Sequence, residues 1–138
     1  MTTLILDTGP IVAALNVDDP DHERCAALIR GGDDLLVPGA ALVEIDYWLL
    51  KLAGAEVWAG FVADIERGAY RVAHPTDADL RRAADLELQY ADLDLGLVDA
   101  SIVALCERLA ETRLATLDHR HFSVIRPLHC THLTLLPD

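Results

Sequence analysis

Short apolar runs alternate with amphipathic stretches along nearly the whole chain, and this alternation restricts the fold more than any other feature. A run of three or four apolar residues suits a buried strand, whereas the stretches between the runs repeat apolar residues at helical spacing. Strands separated by helices are typical of an α/β domain with a mostly parallel sheet, because parallel neighbours need long crossover connections. The runs predicted as strands are residues 4–6, 35–37, 70–72, 114–117 and 133–136.

Turn and capping residues mark the helix boundaries. Thr76 with Asp79 is a capping-box pattern, and Gly54 follows the apolar stretch that ends at Leu52. The 138 residues fit one domain, so we expect a single domain over 1–138. The predicted helices run up to residue 16, from Asp19-Pro20 to residue 30, and over residues 40–52, 56–67, 76–88 and 97–111.

The composition indicates a chain that folds in a reducing compartment and makes no membrane contact. No apolar run approaches the roughly 20 residues that span a bilayer, and the first residues lack a basic segment of the signal-peptide type. The three cysteines are scattered and odd in number, which does not suit a disulfide framework. Cys25 and Cys106 fall at apolar helical positions, so we expect buried thiols and a cytoplasmic protein.

The net charge of −12, from 23 acidic and 11 basic residues, counts against simple binding to a nucleic-acid backbone. Two other arrangements are compatible with it. One is an acidic pocket that divalent cations neutralise, and the other is a basic protein partner.

Two aspartates follow predicted strands directly. Asp7 comes after residues 4–6 and Asp118 after residues 114–117. Ligands of open α/β sheets bind outside the carboxyl ends of the strands, so the two side chains are candidates for one shared site. Each also suits the N-cap of a following helix, and the sequence leaves both interpretations open.

Two further acids lie at mostly apolar helical positions. Asp99 has Leu95, Ile102 and Val103 as helical neighbours, and a carboxylate there is costly unless it is paired or bound to a metal. A helix-capping role is the alternative for Asp99. Glu44 also has mostly apolar or aromatic helical neighbours, but Asp46 is so similar that position does not separate them.

Carboxylates that converge in one pocket repel one another, and some would be protonated if nothing neutralised them. Carboxylate oxygens are preferred ligands of Mg²⁺ and Mn²⁺. A site of this kind can activate a water molecule and stabilise charge on a phosphodiester. Hydrolysis of phosphodiester bonds is therefore the chemistry that four converging acids would favour.

Four segments resemble the motifs of PIN domains, and in particular those of VapC-type toxins from bacterial type II toxin–antitoxin pairs. The third and fourth are the most specific, and together the segments extend over nearly the whole chain. They are LDTG at residues 6–9, VE at 43–44, YADLDLGLVDAS at 90–101 and LATLDHRHF at 114–122.

The resemblance implies a central parallel sheet of about five strands and an endoribonuclease that leaves a 5′-phosphate and a 3′-hydroxyl. It implies one or two Mg²⁺ or Mn²⁺ ions held by Asp7, Glu44, Asp99 and Asp118. Transfer or ribosomal RNA would be the substrate, a cognate antitoxin would silence the enzyme, and the protein would form a homodimer.

One position departs from the family pattern. Gly9 stands where many relatives have serine, and Thr8 or Thr116 is the candidate to supply the missing hydroxyl. Arg120 is a candidate phosphate ligand or an ordinary surface arginine. Zinc ligation by His119, His121, Cys130 and His132 has no spacing pattern in its favour. The core or a dimer surface is the expected place for the aromatic residues Trp48, Trp58 and Phe61.

Other functions remain as alternatives. A catalytically silent PIN-fold binding module would keep the same four acids. A phosphorylation-switch receiver domain has acids at strand ends but typically needs a lysine after a late strand, and the sole lysine, Lys51, ends a predicted helix. A haloacid-type phosphatase needs a second acid two residues after the first, where this chain has Gly9.

Overall fold

The computed structural model describes residues 2–138 and contains a sheet of parallel strands in the order β3-β2-β1-β4-β5. The first strand in sequence is the central one, and β2 and β4 pair with its two edges. This confirms the predicted α/β class with its parallel sheet. The five strands within the described residues are β1 (Thr3–Leu6), β2 (Asp34–Pro38), β3 (Arg71–Ala73), β4 (Arg113–Ala115) and β5 (Thr134–Leu136).

Helices connect the strands, as the crossover rule for parallel neighbours requires. Short 3₁₀ turns at Gly39–Ala41 and Ala91–Leu93 precede two of them. The α-helices within residues 2–138 are α1 (Thr8–Leu15), α2 (His22–Ile29), α3 (Leu42–Leu52), α4 (Ala55–Glu66), α5 (Asp77–Gln89), α6 (Leu97–Leu109) and α7 (His119–Val124).

The sheet buries both faces, because successive strand residues point to opposite sides. In β1, Ile5 packs with residues of α5, α6 and α7, whereas Leu4 and Leu6 pack with residues of α1, α3 and α4. All three side chains have no exposed surface. The two apolar clusters make a three-layer domain, with the strand ends open at the edges of the layers.

Two boundaries and one helix are among the differences from the sequence predictions. The second helix begins at His22 and not at Asp19-Pro20, because a side-chain oxygen of Asp19 accepts the backbone N–H of Asp21 and holds a turn there. Strand β4 ends at Ala115, earlier than predicted. No residue range was predicted for helix α7, although Asp118 was considered as an N-cap, since its sequence, HRHFSV, shows no apolar helical repeat.

Polar interactions secure the α5–α6 side of the domain. The predicted capping box at Thr76 is present, and the side chain of Asp79 also accepts hydrogen bonds from Arg108. Cys25 and Cys106 are buried, as expected. None of the helices within residues 2–138 combines the length and the apolar character that a bilayer crossing requires.

Candidate active site

The carboxyl ends of β1 and β4 bring Asp7 and Asp118 to the same edge of the sheet. The two strands are direct neighbours, with Leu6 paired to Ala115, so the residues that follow them emerge side by side. Asp7 caps α1 by accepting the backbone N–H of Thr8 at 2.8 Å. Asp7 and Asp118 thus lie close together because β1 pairs with β4, a strand more than a hundred residues away in sequence.

Thr116 links the two aspartates. Its fully buried hydroxyl donates a hydrogen bond to Oδ2 of Asp7 at 2.8 Å. The hydroxyl oxygen of Thr116 also accepts a hydrogen bond from the backbone N–H of Asp118 at 3.0 Å. Of the two residues considered as substitutes for a serine at position 9, Thr116 is therefore the one that supports an acid directly.

Asp99 lies in the first turn of α6, but it does not cap the helix. The N-cap position is Gly96, which has no side chain to offer. Oδ2 of Asp99 lies 3.3 Å from Nδ1 of His121, and the same nitrogen is 3.0 Å from Oδ2 of Asp118. The other oxygen of Asp118 caps α7 by accepting the backbone N–H of His121. Helix α7 therefore brings one imidazole against two of the acids.

All four predicted site residues line one cavity of about 510 Å³. Glu44 reaches it from the exposed side of α3, whereas Asp46, two residues later, is not among the lining residues. The structure thus distinguishes Glu44 from Asp46 as a residue of the cavity, which the sequence could not do. The lining residues are Asp7, Thr8, Gly9, Val12, Asp19, Glu44, Trp48, Asp99, Leu117 and Asp118.

Burial and mutual repulsion disfavour the charged forms of two of these acids. Burial raises the pKa of Asp7 to about 6, and the charges of Asp99 and Glu44 act in the same direction, against hydrogen bonds from Thr116 and Thr8. Burial also raises the pKa of Asp99, and the charges of Asp118 and Glu44 add to it, while His121 opposes the shift. A divalent cation would remove this conflict, and an all-oxygen carboxylate set fits Mg²⁺ or Mn²⁺.

Several secondary expectations can be compared with the geometry. Trp48 is not a core residue, because it is 40% exposed and lines the cavity, whereas Phe61 is buried in the core. A Cβ at Gly9 would lie 3.3 Å from Cδ1 of Leu117, so the missing side chain makes room for a wall of the cavity. Arg120 is exposed and is not among the lining residues.

Among the described residues, the four side chains that the sequence analysis weighed as zinc ligands do not form one group of potential ligands. Within the described part of the chain, His119 contacts the backbone oxygen of Thr116, and Sγ of Cys130 lies 3.7 Å from Nε2 of His129. The group of potential ligands that does come together is Asp99, Asp118 and His121. Sequence reasoning considered His121 only for zinc and missed its contact with the two acids.

Comparison with known proteins identifies the family. The family model for the PIN domain matches residues 4–126. Ribonuclease VapC26 of Mycobacterium tuberculosis (strain ATCC 25618 / H37Rv) is 30% identical over 135 residues, which are 97% of this chain and 100% of that protein.

Solved structures agree with this assignment at the level of the fold. Mycobacterium tuberculosis VapC20, described as a toxin that cleaves the sarcin–ricin loop, superposes with a TM-score of 0.80 and 18% identity, over 93% of this chain and 98% of that one. VapBC2 from Rickettsia felis, bound to a DNA fragment from its promoter, gives a TM-score of 0.70 and 17% identity over 99% and 100% of the two chains. The chain therefore belongs to the PIN domain family and is a VapC-type member of it.

Proposed function

We propose that this protein is a divalent-metal-dependent endoribonuclease and the toxin of a toxin–antitoxin pair, acting as one domain over residues 1–138. The observation that carries the proposal is the convergence of Asp7, Glu44, Asp99 and Asp118 on one cavity. The acids come from four separate parts of the chain: the ends of β1 and β4, helix α3 and helix α6. A PIN-domain relative named as a ribonuclease supports the activity.

The four acids hold the cation and position the reaction. Asp7 is fixed by hydrogen bonds to both of its oxygens, from the Thr8 backbone and from Thr116, so its orientation is set before any ligand binds. Asp99 reaches the cavity from the first turn of α6, and Asp118 reaches it from the N-cap of α7. A bound Mg²⁺ or Mn²⁺ supplies activation of water and neutralises charge on the phosphodiester.

The cavity suits a single-stranded or looped segment of RNA. Its walls include the apolar side chains of Val12, Trp48 and Leu117 next to the acids. The half-exposed indole of Trp48 offers a face on which a base can stack, and unpaired bases in loops are the parts of RNA that proteins read in this way. VapC20, a structural relative, is a sarcin–ricin loop cleaving toxin, which supports a looped RNA segment as the substrate here, with ribosomal or transfer RNA as the proposed class.

A cognate antitoxin is the proposed protein partner. VapBC2 and the FitAcB structure from Neisseria gonorrhoeae support this partner class. Helix α3, which contributes Glu44 and Trp48 to the cavity, also exposes Val43, Tyr47 and Leu50, and exposed apolar side chains in a group mark surfaces for protein contacts. The net charge of −12 suits a basic antitoxin segment, and we place the protein in the cytoplasm as a homodimer.

The experiment is cleavage of total RNA by the purified chain, with Mg²⁺ or Mn²⁺ and with a chelator. We expect discrete products that require the cation and that disappear in Asp99→Asn. Asp46→Asn is the matched control, because it removes a carboxylate of α3 that is not among the residues lining the cavity. Equal cleavage by the chain and by Asp99→Asn would contradict the proposed site.

A catalytically silent binding module is the alternative that this experiment also tests. A folded, metal-loaded chain that cuts neither ribosomal nor transfer RNA, but still binds RNA or an antitoxin, would support that alternative. End-group analysis of the products adds a second criterion, since the proposed reaction leaves 5′-phosphate and 3′-hydroxyl ends.

A further inference from the structure

The imidazole of His121 lies against two of the carboxylates that line the cavity. Its Nδ1 atom is 3.0 Å from Oδ2 of Asp118 and 3.3 Å from Oδ2 of Asp99. The side chain is only 14% exposed. The other ring nitrogen, Nε2, faces the guanidinium of Arg120 at 3.4 Å. Nδ1 is therefore the nitrogen directed at the acids.

The spacing of these three donor atoms suits neighbouring ligands of one ion. Metal–ligand bonds of about 2.1 Å at right angles place adjacent donor atoms roughly 3 Å apart. Nδ1 and one oxygen from each acid all lie within 4.8 Å of one another. Without an ion, the same distances suit a proton on Nδ1 shared with the carboxylates. A cation would take the place of that proton, because a ligating imidazole nitrogen must be deprotonated.

A second observation, independent of His121, concerns an unpaired hydroxyl on another residue that lines the cavity. Thr8 is a lining residue of the cavity and is only 6% exposed, and its buried hydroxyl has no hydrogen-bond partner among the described residues. Buried hydroxyls in folded proteins nearly always have a partner. A hydrated cation held by the neighbouring acids would bring water molecules that can pair with this group.

We infer that His121 is a nitrogen ligand of the cation bound at Asp99 and Asp118, an inference that rests on the proposed function. Mg²⁺ prefers oxygen ligands in a near-ideal octahedron. Mn²⁺ also binds carboxylates, but it accepts an imidazole nitrogen more readily than Mg²⁺ does. His121 therefore shifts the preference of the site from Mg²⁺ toward Mn²⁺. The identity of this one side chain, and not the acids alone, sets which ion the protein selects.

The first test is pulsed electron paramagnetic resonance on the full chain loaded with Mn²⁺. A nitrogen bound to Mn²⁺ gives a characteristic modulation of the spin echo, and labelling the chain with ¹⁵N-histidine changes that modulation. We expect the histidine signal in the unaltered chain, so this measurement does not depend on whether a variant folds. Bound Mn²⁺ without any histidine modulation would overturn the inference.

The second test assigns the signal to one residue. His121→Gln should abolish the modulation and weaken Mn²⁺ binding about tenfold, while Mg²⁺ binding changes by less than roughly threefold. His132→Gln, the same substitution at an exposed histidine, should leave the modulation and both affinities unchanged. Calorimetry measures the affinities. Modulation that persists in His121→Gln, or equal weakening for both ions, would overturn the assignment.

These outcomes separate the role of His121 from the proposed function. A chain that binds Mn²⁺ through oxygen alone and still cleaves RNA refutes the nitrogen ligand and leaves the ribonuclease standing. A folded chain that binds neither ion and cleaves no RNA refutes the proposed function, and the role of His121 with it.

Discussion

The hydroxyl of Thr116 donates a hydrogen bond to the carboxylate of Asp7 across two neighbouring strands, 109 residues apart in sequence. Thr116 has no exposed surface, and its oxygen also accepts the backbone N–H of Asp118. One buried hydroxyl thus fixes one acid by its side chain and another by its backbone. This hydroxyl therefore adds to the pairing of β1 with β4 in fixing the relative position of the two acids.

We expect Thr116→Val to weaken both folding and activity. The substitution keeps the shape of the side chain but leaves an oxygen of Asp7 and the N–H of Asp118 without their partner, at a cost of about 1–3 kcal/mol. Cleavage should fall about tenfold or more, since a group that orients a metal-binding residue is lost. Thr116→Ser, which keeps the hydroxyl, should retain most of the folding stability and most of the cleavage activity. Denaturant unfolding and RNA cleavage measure the two effects, and equal loss in both variants would contradict the role of the hydroxyl.

Asp7→Asn should stabilise the metal-free protein while abolishing cleavage. The pKa of Asp7 is raised to about 6 in the fold, from 3.8, so the folded state holds this proton more tightly than the unfolded state does. Ionisation of Asp7 therefore lowers the free energy of unfolding. This loss is absent below pH 3.8, grows as pH rises through 6, and is on the order of 3 kcal/mol above that.

The measurement is chemical unfolding in a chelator at several pH values. The stability gain of Asp7→Asn should be largest at pH 8 and about half as large at pH 5. Asp46→Asn controls for removing one negative charge from an acidic protein. A gain that does not change with pH would show that burial of the Asp7 charge is not its cause.

A divalent cation should raise the melting temperature of the protein. A ligand present at about 100 times its dissociation constant adds about 2.7 kcal/mol to the stability of the state that binds it. Asp99→Asn should lose most of this gain, because one of the carboxylate ligands is gone. Thermal unfolding in Mg²⁺, in Mn²⁺ and in chelator tests this, and the same gain in Asp99→Asn would place the ion elsewhere.

Asp79→Ala should destabilise the fold without affecting cleavage. Asp79 is 5% exposed, completes the capping box of α5 and accepts hydrogen bonds from Arg108, so its loss should cost about 2 kcal/mol. Asp77, an exposed acid in the same helical turn, is the matched control, and Asp77→Ala should cost less than about 0.5 kcal/mol. Unfolding in urea compares them, and a similar cost for both would contradict this account.

The fold was predictable because its strands carry a signal that does not depend on distant contacts. Three consecutive apolar residues in β1 are all buried, and they divide between the two faces of the sheet as strand geometry requires. Helix α7 gave no such signal, because it is short and only Phe122 of its six residues is buried. Its position comes from the packing of the end of β4 and not from its own sequence.

Asp7 and Asp118 were each interpreted either as a helix N-cap or as part of a shared site, and the two interpretations do not exclude each other. Each carboxylate has two oxygens, so Asp7 and Asp118 cap a helix with Oδ1 while Oδ2 is directed to Thr116 or to His121. The contact between His121 and Asp99 was beyond sequence reasoning, because it depends on how α7 docks against α6. The sequence therefore predicts which residues lie at the same edge of the sheet more readily than it predicts which side chains they contact.

The strand order also affects how the protein is made. β1 is the first strand to leave the ribosome, yet β4, its neighbour on one side, follows only at Arg113–Ala115. A nascent chain that ends after β3 contains Asp7 and Glu44 but lacks Asp99 and Asp118. If all four acids form the active site, as proposed, a nascent chain of this length carries only half of that site. A translation product cut short before β4 would lack Asp118 and the strand that pairs beside β1, so we expect it to be inert.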